Sequence, residues 1–217
     1  AGSDIGFSNS EYKEAGALIV HTASELYESS ELIVKVKEPI PEEFHYLNNK
    51  HTVFAYLHLA GDPKTGLQLA STGITGIALE TVTADDGTMP LLSPMSSIAG
   101  QLSIVVGSYH LLKPNRGMGT LIGAMSDVER RVITVIGAGV AGTMAIEKAI
   151  NNKAHVKIID LSQKRLDELK TIYGDSEVEY ILSTDASIEE SLKESDLVVG
   201  AVYVIGKQAP KVVKNYM

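Results

Sequence analysis

The 217-residue chain has no cysteine. Disulfides, thiolate catalysis and Cys-ligated zinc are thereby excluded, a usage that fits a reducing, cytoplasmic setting. Basic residues are few: 19 Lys and Arg stand against 27 Asp and Glu, a net charge of −8. They are scattered singly, so no basic stripe is there to follow a phosphate backbone, and no nucleic-acid partner is expected. No apolar run reaches the length of a membrane span, so no membrane insertion is expected. Ala1-Gly2-Ser3-Asp4 lacks the basic and apolar regions of a signal peptide. Neither a fixed-period repeat nor a low-complexity tract is visible. An initiator Met is absent as well, and the sequence stops at Lys214-Asn215-Tyr216-Met217, where a helix is beginning, so it reads as a fragment. What is present is an ordinary globular mixture, 44% hydrophobic and 21% charged, sufficient for a sizeable core.

Short runs rich in β-branched residues alternate with helix-like segments. Strands are expected at 17–20, 32–37, 53–58, 74–79, 132–136, 156–160, 178–182 and 197–201. Helices are expected at 11–15, 23–29, 42–47, 64–71, 144–151, 163–173 and 188–194. This alternation predicts an α/β fold with parallel sheets. Ser162 and Ser187 stand where N-caps are expected. A longer, mostly apolar helix is expected over 96–112, ended by the turn-rich Lys113-Pro114-Asn115-Arg116-Gly117-Met118-Gly119. The shift in composition around 90–123 predicts a junction between two α/β units, residues 1–94 and 95–217.

The strongest local signal is a βαβ unit over 132–160. Val132-Ile133-Thr134-Val135-Ile136 runs into Gly137-Ala138-Gly139-Val140-Ala141-Gly142, a helix follows, and the next strand ends on Asp160. Gly137 permits the tight strand-to-helix turn, Gly139 lets a pyrophosphate approach the backbone, and Gly142 allows close helix–strand packing. The helix N-terminus then offers free N–H groups to the phosphates. Asp160 stands where a carboxylate accepts from the adenosine ribose hydroxyls. It would repel a 2′-phosphate, which favours NAD over NADP, although Lys164 and Arg165 nearby weaken that second point. The unit 95–217 therefore reads as a Rossmann-like parallel sheet for a dinucleotide.

Other phrases occur in a fixed order: Lys35-Val36-Lys37-Glu38-Pro39, Tyr56-Leu57-His58-Leu59-Ala60, Glu80-Thr81-Val82, Pro90-Leu91-Leu92-Ser93-Pro94-Met95-Ser96-Ser97-Ile98-Ala99-Gly100 and Gly206-Lys207-Gln208-Ala209-Pro210. Along its whole length the chain resembles the bacterial L-alanine dehydrogenases. The resemblance implies an NAD-dependent oxidoreductase of amino-acid catabolism that interconverts L-alanine with pyruvate and ammonia. It also implies a homo-oligomer, hexameric in the family. By the same resemblance Lys37 binds pyruvate and His58 acts in proton transfer. Ser96, Gly137, Ala138, Gly139, Val140, Ala141 and Gly142 contact the cofactor, as do Asp160 and Arg165 at the ribose. Residues 1–94 then form the substrate domain, short of its terminal elements.

The chemistry of these residues is compatible with those roles. Lys37 ends an apolar strand before a Glu-Pro break, where α/β sheets place ligand groups, and its ammonium can pair with a carboxylate or polarise a carbonyl. His58 ends the next strand and can take and return a proton near neutral pH. Lys35 shares a strand face with Lys37 but lies further from the strand end, which makes it the weaker candidate. His21, His45, His51, His110 and His155 share no spacing and read as surface or helix residues. No His-x-x-x-His pair or carboxylate cluster points to a metal.

Two family segments are not found in these residues. One is an N-terminal strand with a basic motif whose arginine binds the substrate carboxylate. The other carries a second catalytic acid, a nicotinamide-side loop and a returning helix. The first sheet is therefore expected to lack strands and the second to hold about four of six; these residues alone are expected to bind NAD weakly, if at all, and to show no turnover. Gly123-Ala124-Met125-Ser126 replaces a glycine- and proline-rich turn of the family. Two other readings stay open: a relative of the nucleotide-binding subunit of transhydrogenase, and a truncated, catalytically silent nucleotide-binding module. Lys37 with His58 favours the dehydrogenase.

Overall fold

A computed structural model describes residues 2–123, 125, 129–205 and 207–217. Ala124 and Ser126 of the divergent turn, and Gly206 of the Gly206–Pro210 phrase, lie outside the described residues. The chain forms two compact units, Ala1–Glu80 and Thr81–Met217. Both are α/β with parallel strands throughout, as expected.

In the first unit three strands, β1 (Leu32–Lys37), β2 (Thr52–Tyr56) and β3 (Thr75–Ala78), lie in the order β1-β2-β3. Helix α1 (Asn9–Glu14) and helix α2 (Ala23–Ser29) precede them, and helix α3 (Pro63–Ser71) joins β2 to β3. Local chemistry explains the helix starts. Thr22 and Glu25 form a capping box at α2, and Asp62 accepts from the Thr65 N–H ahead of Pro63 at α3. β2 is central and alternates: Val53 and Ala55 are fully buried with Tyr27, Ile33, Leu47, Leu57 and Leu69. On the edge strand β1, Ile33 points inward while Leu32, Val34 and Val36 are exposed.

Two expectations fail here. Residues 17–20 form no strand; Gly16 turns the chain with φ +91° after α1, and Leu18 is 94% exposed. An apolar β-branched tetrad becomes a strand only if an edge accepts its hydrogen bonds. The α-helix expected at 42–47 is instead a 3₁₀ segment, Pro41–Tyr46, too short to develop i→i+4 bonding before Leu47 becomes extended.

The second unit holds β4 (Val132–Ile136), β5 (His155–Asp160), β6 (Val178–Leu182) and β7 (Leu197–Gly200) in the order β6-β5-β4-β7. Its helices are α4 (Ser93–Leu111), α5 (Val140–Asn151), α6 (Gln163–Tyr173) and α7 (Asp185–Glu194). Both sheet faces are covered, so β4 and β5 are buried on both sides, Thr134 and Lys157 included. Ile133, Val135, Val156 and Ile158 join the larger core on one face, and Ile136 and Ile159 pack with Ile188 on the other. α5 begins at Val140, four residues before the expected start, because the glycine-rich turn passes straight into helix with Gly142 inside it. Ser162 caps α6 as expected, accepting from the Arg165 N–H. For α7 the cap is Thr184, and Ser187 is its reciprocal partner at the third helical position. Among the described residues no helix is long and apolar enough to cross a membrane.

Candidate functional site: a dinucleotide cleft and a charged strand-end cluster

In the second unit β4 leads through α5 to β5 on one side, and the crossover from the far strand β6 through α7 brings β7 to its other side, so the strand order reverses at β4. Such a switch point opens a crevice at the carboxyl ends of the strands. A cleft of about 910 Å³ lies there. Its walls include the segments after β4, β5, β6 and β7 and the first turn of α4.

The turn after β4 is built to approach a ligand. Gly137 has φ +95°, and a side chain on Gly142 would collide with the Gly137 carbonyl oxygen, so neither position tolerates a Cβ. At Gly139 a Cβ would meet nothing within 4 Å and would occupy the cleft instead. Gly139 is the N-cap of α5 without a side-chain cap, which leaves the helix N–H groups to an incoming anion. The residues thus fit a dinucleotide pyrophosphate.

Of the sequence-predicted cofactor residues, Ser96, Gly137, Gly139, Val140, Ala141 and Asp160 line the cleft. Ala138, Gly142 and Arg165 stand behind it. Ala138 is 1% exposed, and both sides of its peptide are pinned. Its N–H donates to Asp160 Oδ2 at 2.7 Å, and its carbonyl accepts from Arg165 Nε at 3.0 Å. Arg165 also donates to Thr143 Oγ1 at 2.9 Å and to Glu168. Asp160 Oδ1 accepts the Ser162 N–H at 2.8 Å. Sequence reasoning missed the walls formed by Ser183, Thr184, Ala201 and Val202. Their signal was available: they lie at or just beyond the ends of the strands expected at 178–182 and 197–201.

The first unit brings Lys37 and His58 to the same end of its sheet. Lys37 is in register with Tyr56, and the Tyr56 and His58 rings stack with centroids 6.4 Å apart. Between them lies Glu38, whose Oε2 is 3.4 Å from Lys37 Nζ. Burial alone would raise the Glu38 carboxyl, but its own backbone N–H, the Lys37 ammonium and the His58 imidazole outweigh that and hold it below 4.5. His58 itself is exposed, with φ +49°. Its N–H donates to Glu80 Oε1 at 2.7 Å, and that of Leu57 to Glu80 Oε2 at 3.2 Å. Glu38 and Glu80 stand in the quoted phrases but were given no role from the sequence; nothing in their spacing announces that both approach the β2 end.

Lys35 is a structural partner. Its Nζ lies 2.5 Å from Glu43 Oε2, and the β1–β2 register breaks between Val34 and Lys37. Two histidines depart from the surface-or-helix expectation. His51 is 1% exposed in the core: Nδ1 accepts from the Asn48 N–H, so Nε2 carries the proton to the Tyr27 carbonyl at 2.8 Å. His155 sits on β5 between Glu177 and Glu179. Among the described residues no group of three or more His, Cys, Asp and Glu is placed to hold a metal.

Comparison with known proteins agrees with this geometry. Residues 1–99 match the family model "Alanine dehydrogenase/PNT, N-terminal domain", and residues 103–217 match "Alanine dehydrogenase/PNT, C-terminal domain". The alanine dehydrogenase of Staphylococcus haemolyticus is 43% identical over 217 residues, covering 100% of this chain and 58% of that protein. That of Mycolicibacterium smegmatis is 42% identical over 215 residues, covering 99% and 58%. A solved L-alanine dehydrogenase superposes with a TM-score of 0.85 at 40% identity, over 99% of this chain and 59% of its own. A transhydrogenase from Sinorhizobium meliloti shares the fold, with a TM-score of 0.77 at 24% identity over 100% and 62%. The chain thus spans somewhat over half the length of the relatives it matches, and it belongs to the alanine dehydrogenase/PNT family.

Proposed function

We propose that the chain is the cofactor- and substrate-binding portion of an NAD-dependent L-alanine dehydrogenase. The overall reaction is L-alanine plus NAD⁺ and water giving pyruvate, ammonium, NADH and a proton. The observation that carries the reading is the pairing of Lys37 with His58 at one strand end of a unit whose chain also builds the glycine cleft. NAD would supply the hydride acceptor. In the second unit the N–H groups around Gly139 would hold its pyrophosphate, and Asp160 would accept from the ribose hydroxyls. Ser96 would contact it from α4. Arg165 would act through Ala138, since its donors are already engaged by the protein.

In the first unit Lys37 would pair with the substrate carboxylate or polarise the carbonyl of pyruvate. His58 would take the proton released as the amine is oxidised and return it in the reverse direction. We propose residues 1–94 as the substrate domain and 95–217 as the dinucleotide domain of a cytoplasmic homo-oligomer. The Asp160 carboxylate in the cleft wall, which would repel a 2′-phosphate, supports NAD over NADP.

Calorimetric titration of the 217-residue chain with NADH tests the cofactor half of the reading; an absence of heat at millimolar NADH would end it. The substrate half is tested by pyruvate- and ammonia-dependent NADH oxidation in a complete protein carrying these motifs. A silent nucleotide-binding module would bind in the first experiment and fail the second.

A further inference from the structure

We propose that Glu80 is a positioning residue, whose buried carboxylate holds the end of β2 in the left-handed turn that sets the His58 imidazole beside Lys37 and Glu38. The inference rests on the reading of His58 as the proton-transfer group.

His58 is a non-glycine residue at φ +49°, a conformation that L-residues avoid because Cβ crowds the following carbonyl. Such strain persists only where the surroundings impose it. Here the chain is held on both sides of the residue, by Glu80 ahead of it and by the partners of its own carbonyl after it. Glu80 is 9% exposed at the exit of β3, and its two oxygens are divided between two successive amides, Leu57 and His58. Consecutive N–H groups converging on one anion form a nest, which fixes the peptide planes on either side of Leu57 and so the direction in which the chain enters His58. No Lys, Arg or His lies within ion-pair distance of Glu80 among the described residues. A buried carboxylate without a cation is held by its hydrogen bonds. Glutamine could not replace it, since an amide has one acceptor oxygen and would set its NH₂ against the second N–H. The turn is closed on the far side by the His58 carbonyl, which accepts from the Gly61 and Asp62 N–H groups at 2.9 and 3.2 Å. With the backbone fixed on both sides, the imidazole stacks on Tyr56 and reaches the neighbourhood of Glu38.

The test is Glu80→Gln in the isotope-labelled 217-residue chain, followed by NMR. Amide exchange at Leu57 and His58 should accelerate by about tenfold or more, the loss of one net hydrogen bond. The His58 ring resonances should move toward random-coil positions as the Tyr56 stacking is lost. Val53 and Ala55, one turn back in β2, should keep their protection, and NADH affinity should be unchanged. His58 amide exchange and ring shifts identical to wild type would overturn the proposal. Should Glu80→Gln not fold, the wild-type chain decides: Leu57 and His58 amides exchanging as fast as in an unstructured peptide would overturn it, and protected amides with an HN–Hα coupling of positive φ would support it. In a complete family member carrying the same residues, Glu80→Gln should lower kcat with KM for NAD unchanged. If the NMR changes appear while both Glu80→Gln and His58→Ala leave kcat intact, the positioning stands and the proton-transfer reading fails.

Discussion

The two units offer a ligand different things. Thr81–Met217 offers shape and backbone: a cleft at the strand switch point, a turn where Gly137 and Gly142 admit no Cβ, and uncapped amides at the start of α5. Its charged residues at the turn, Asp160 and Arg165, mostly serve to orient the Ala138 peptide. Ala1–Glu80 offers side chains. Lys37, Glu38, Tyr56 and His58 gather at one end of a three-stranded sheet, and a buried Glu80 fixes the last of them. A site of backbone tolerates many sequences around a few glycines. A site of side chains depends on each group and on whatever places it. In the first unit one of those side chains, His58, sits on backbone at positive φ.

The comparison predicts which changes act through space-filling and which through chemistry. The largest effect is expected for Gly139→Val. The residue has open space, so the chain should fold, but the branched side chain would fill the pyrophosphate position. Calorimetry should find NADH binding lost while the thermal unfolding of the chain stays near wild type. Retained affinity would show that the cleft holds no dinucleotide.

His58→Ala comes next and should act on chemistry alone. In a complete family member with the same motifs it should reduce turnover by roughly 10²–10⁴-fold, the usual range for a general acid–base group, with cofactor affinity unchanged. Equal turnover would remove His58 from the mechanism and leave the first unit without a catalytic group.

Asp160→Ala should have a smaller, mixed effect, because the carboxylate both faces the cleft and holds the Ala138 N–H. NAD affinity should fall by about tenfold, and the preference over NADP should narrow. Titration with both nucleotides decides; an unaltered ratio would confine Asp160 to the turn.

The smallest effect separates the units by pH. Burial, reinforced by the Glu43 carboxylate, pushes Tyr27 up from 10.0 to about 12. A raised folded value favours the protonated phenol, so its contribution is fully present below pH 10.0 and is lost as pH rises toward about 12. At the acid end burial would raise Glu43, but Lys35 and the Ile40 N–H outweigh it and hold it below 4.5. Its contribution is therefore present above 4.5 and lost as pH falls through the depressed value. Thermal unfolding of Tyr27→Phe against wild type should show a shallower alkaline decline in the first unit. Identical alkaline limbs would show that Tyr27 is not the titrating group.

Much of this molecule is determined by local sequence. The strands β1, β4 and β6 fall where β-branched runs predict them, and Ser162 caps α6, because periodicity and capping depend on near neighbours. The Gly137–Gly142 turn and Asp160 are legible for the same reason: their spacing is fixed within one βαβ unit. Lys37 and His58 could be named from motifs and strand ends. Tertiary structure decided the rest. Residues 17–20 have a strand's composition, yet no sheet edge meets them. His51 differs from His58 only in what surrounds it, a closed core with two backbone partners rather than an open strand end. Alternation in the sequence puts Lys35 and Lys37 on one strand face, but the register break between Val34 and Lys37 undoes that alternation, and Glu43 ties the first into structure while the second stays at the edge. Glu80 stands 22 residues from the amide of His58, and no periodicity links the two. Hydrogen bonds between distant segments form only once parallel strands have set their register, which is why a single sequence names the histidine but not the carboxylate that holds it.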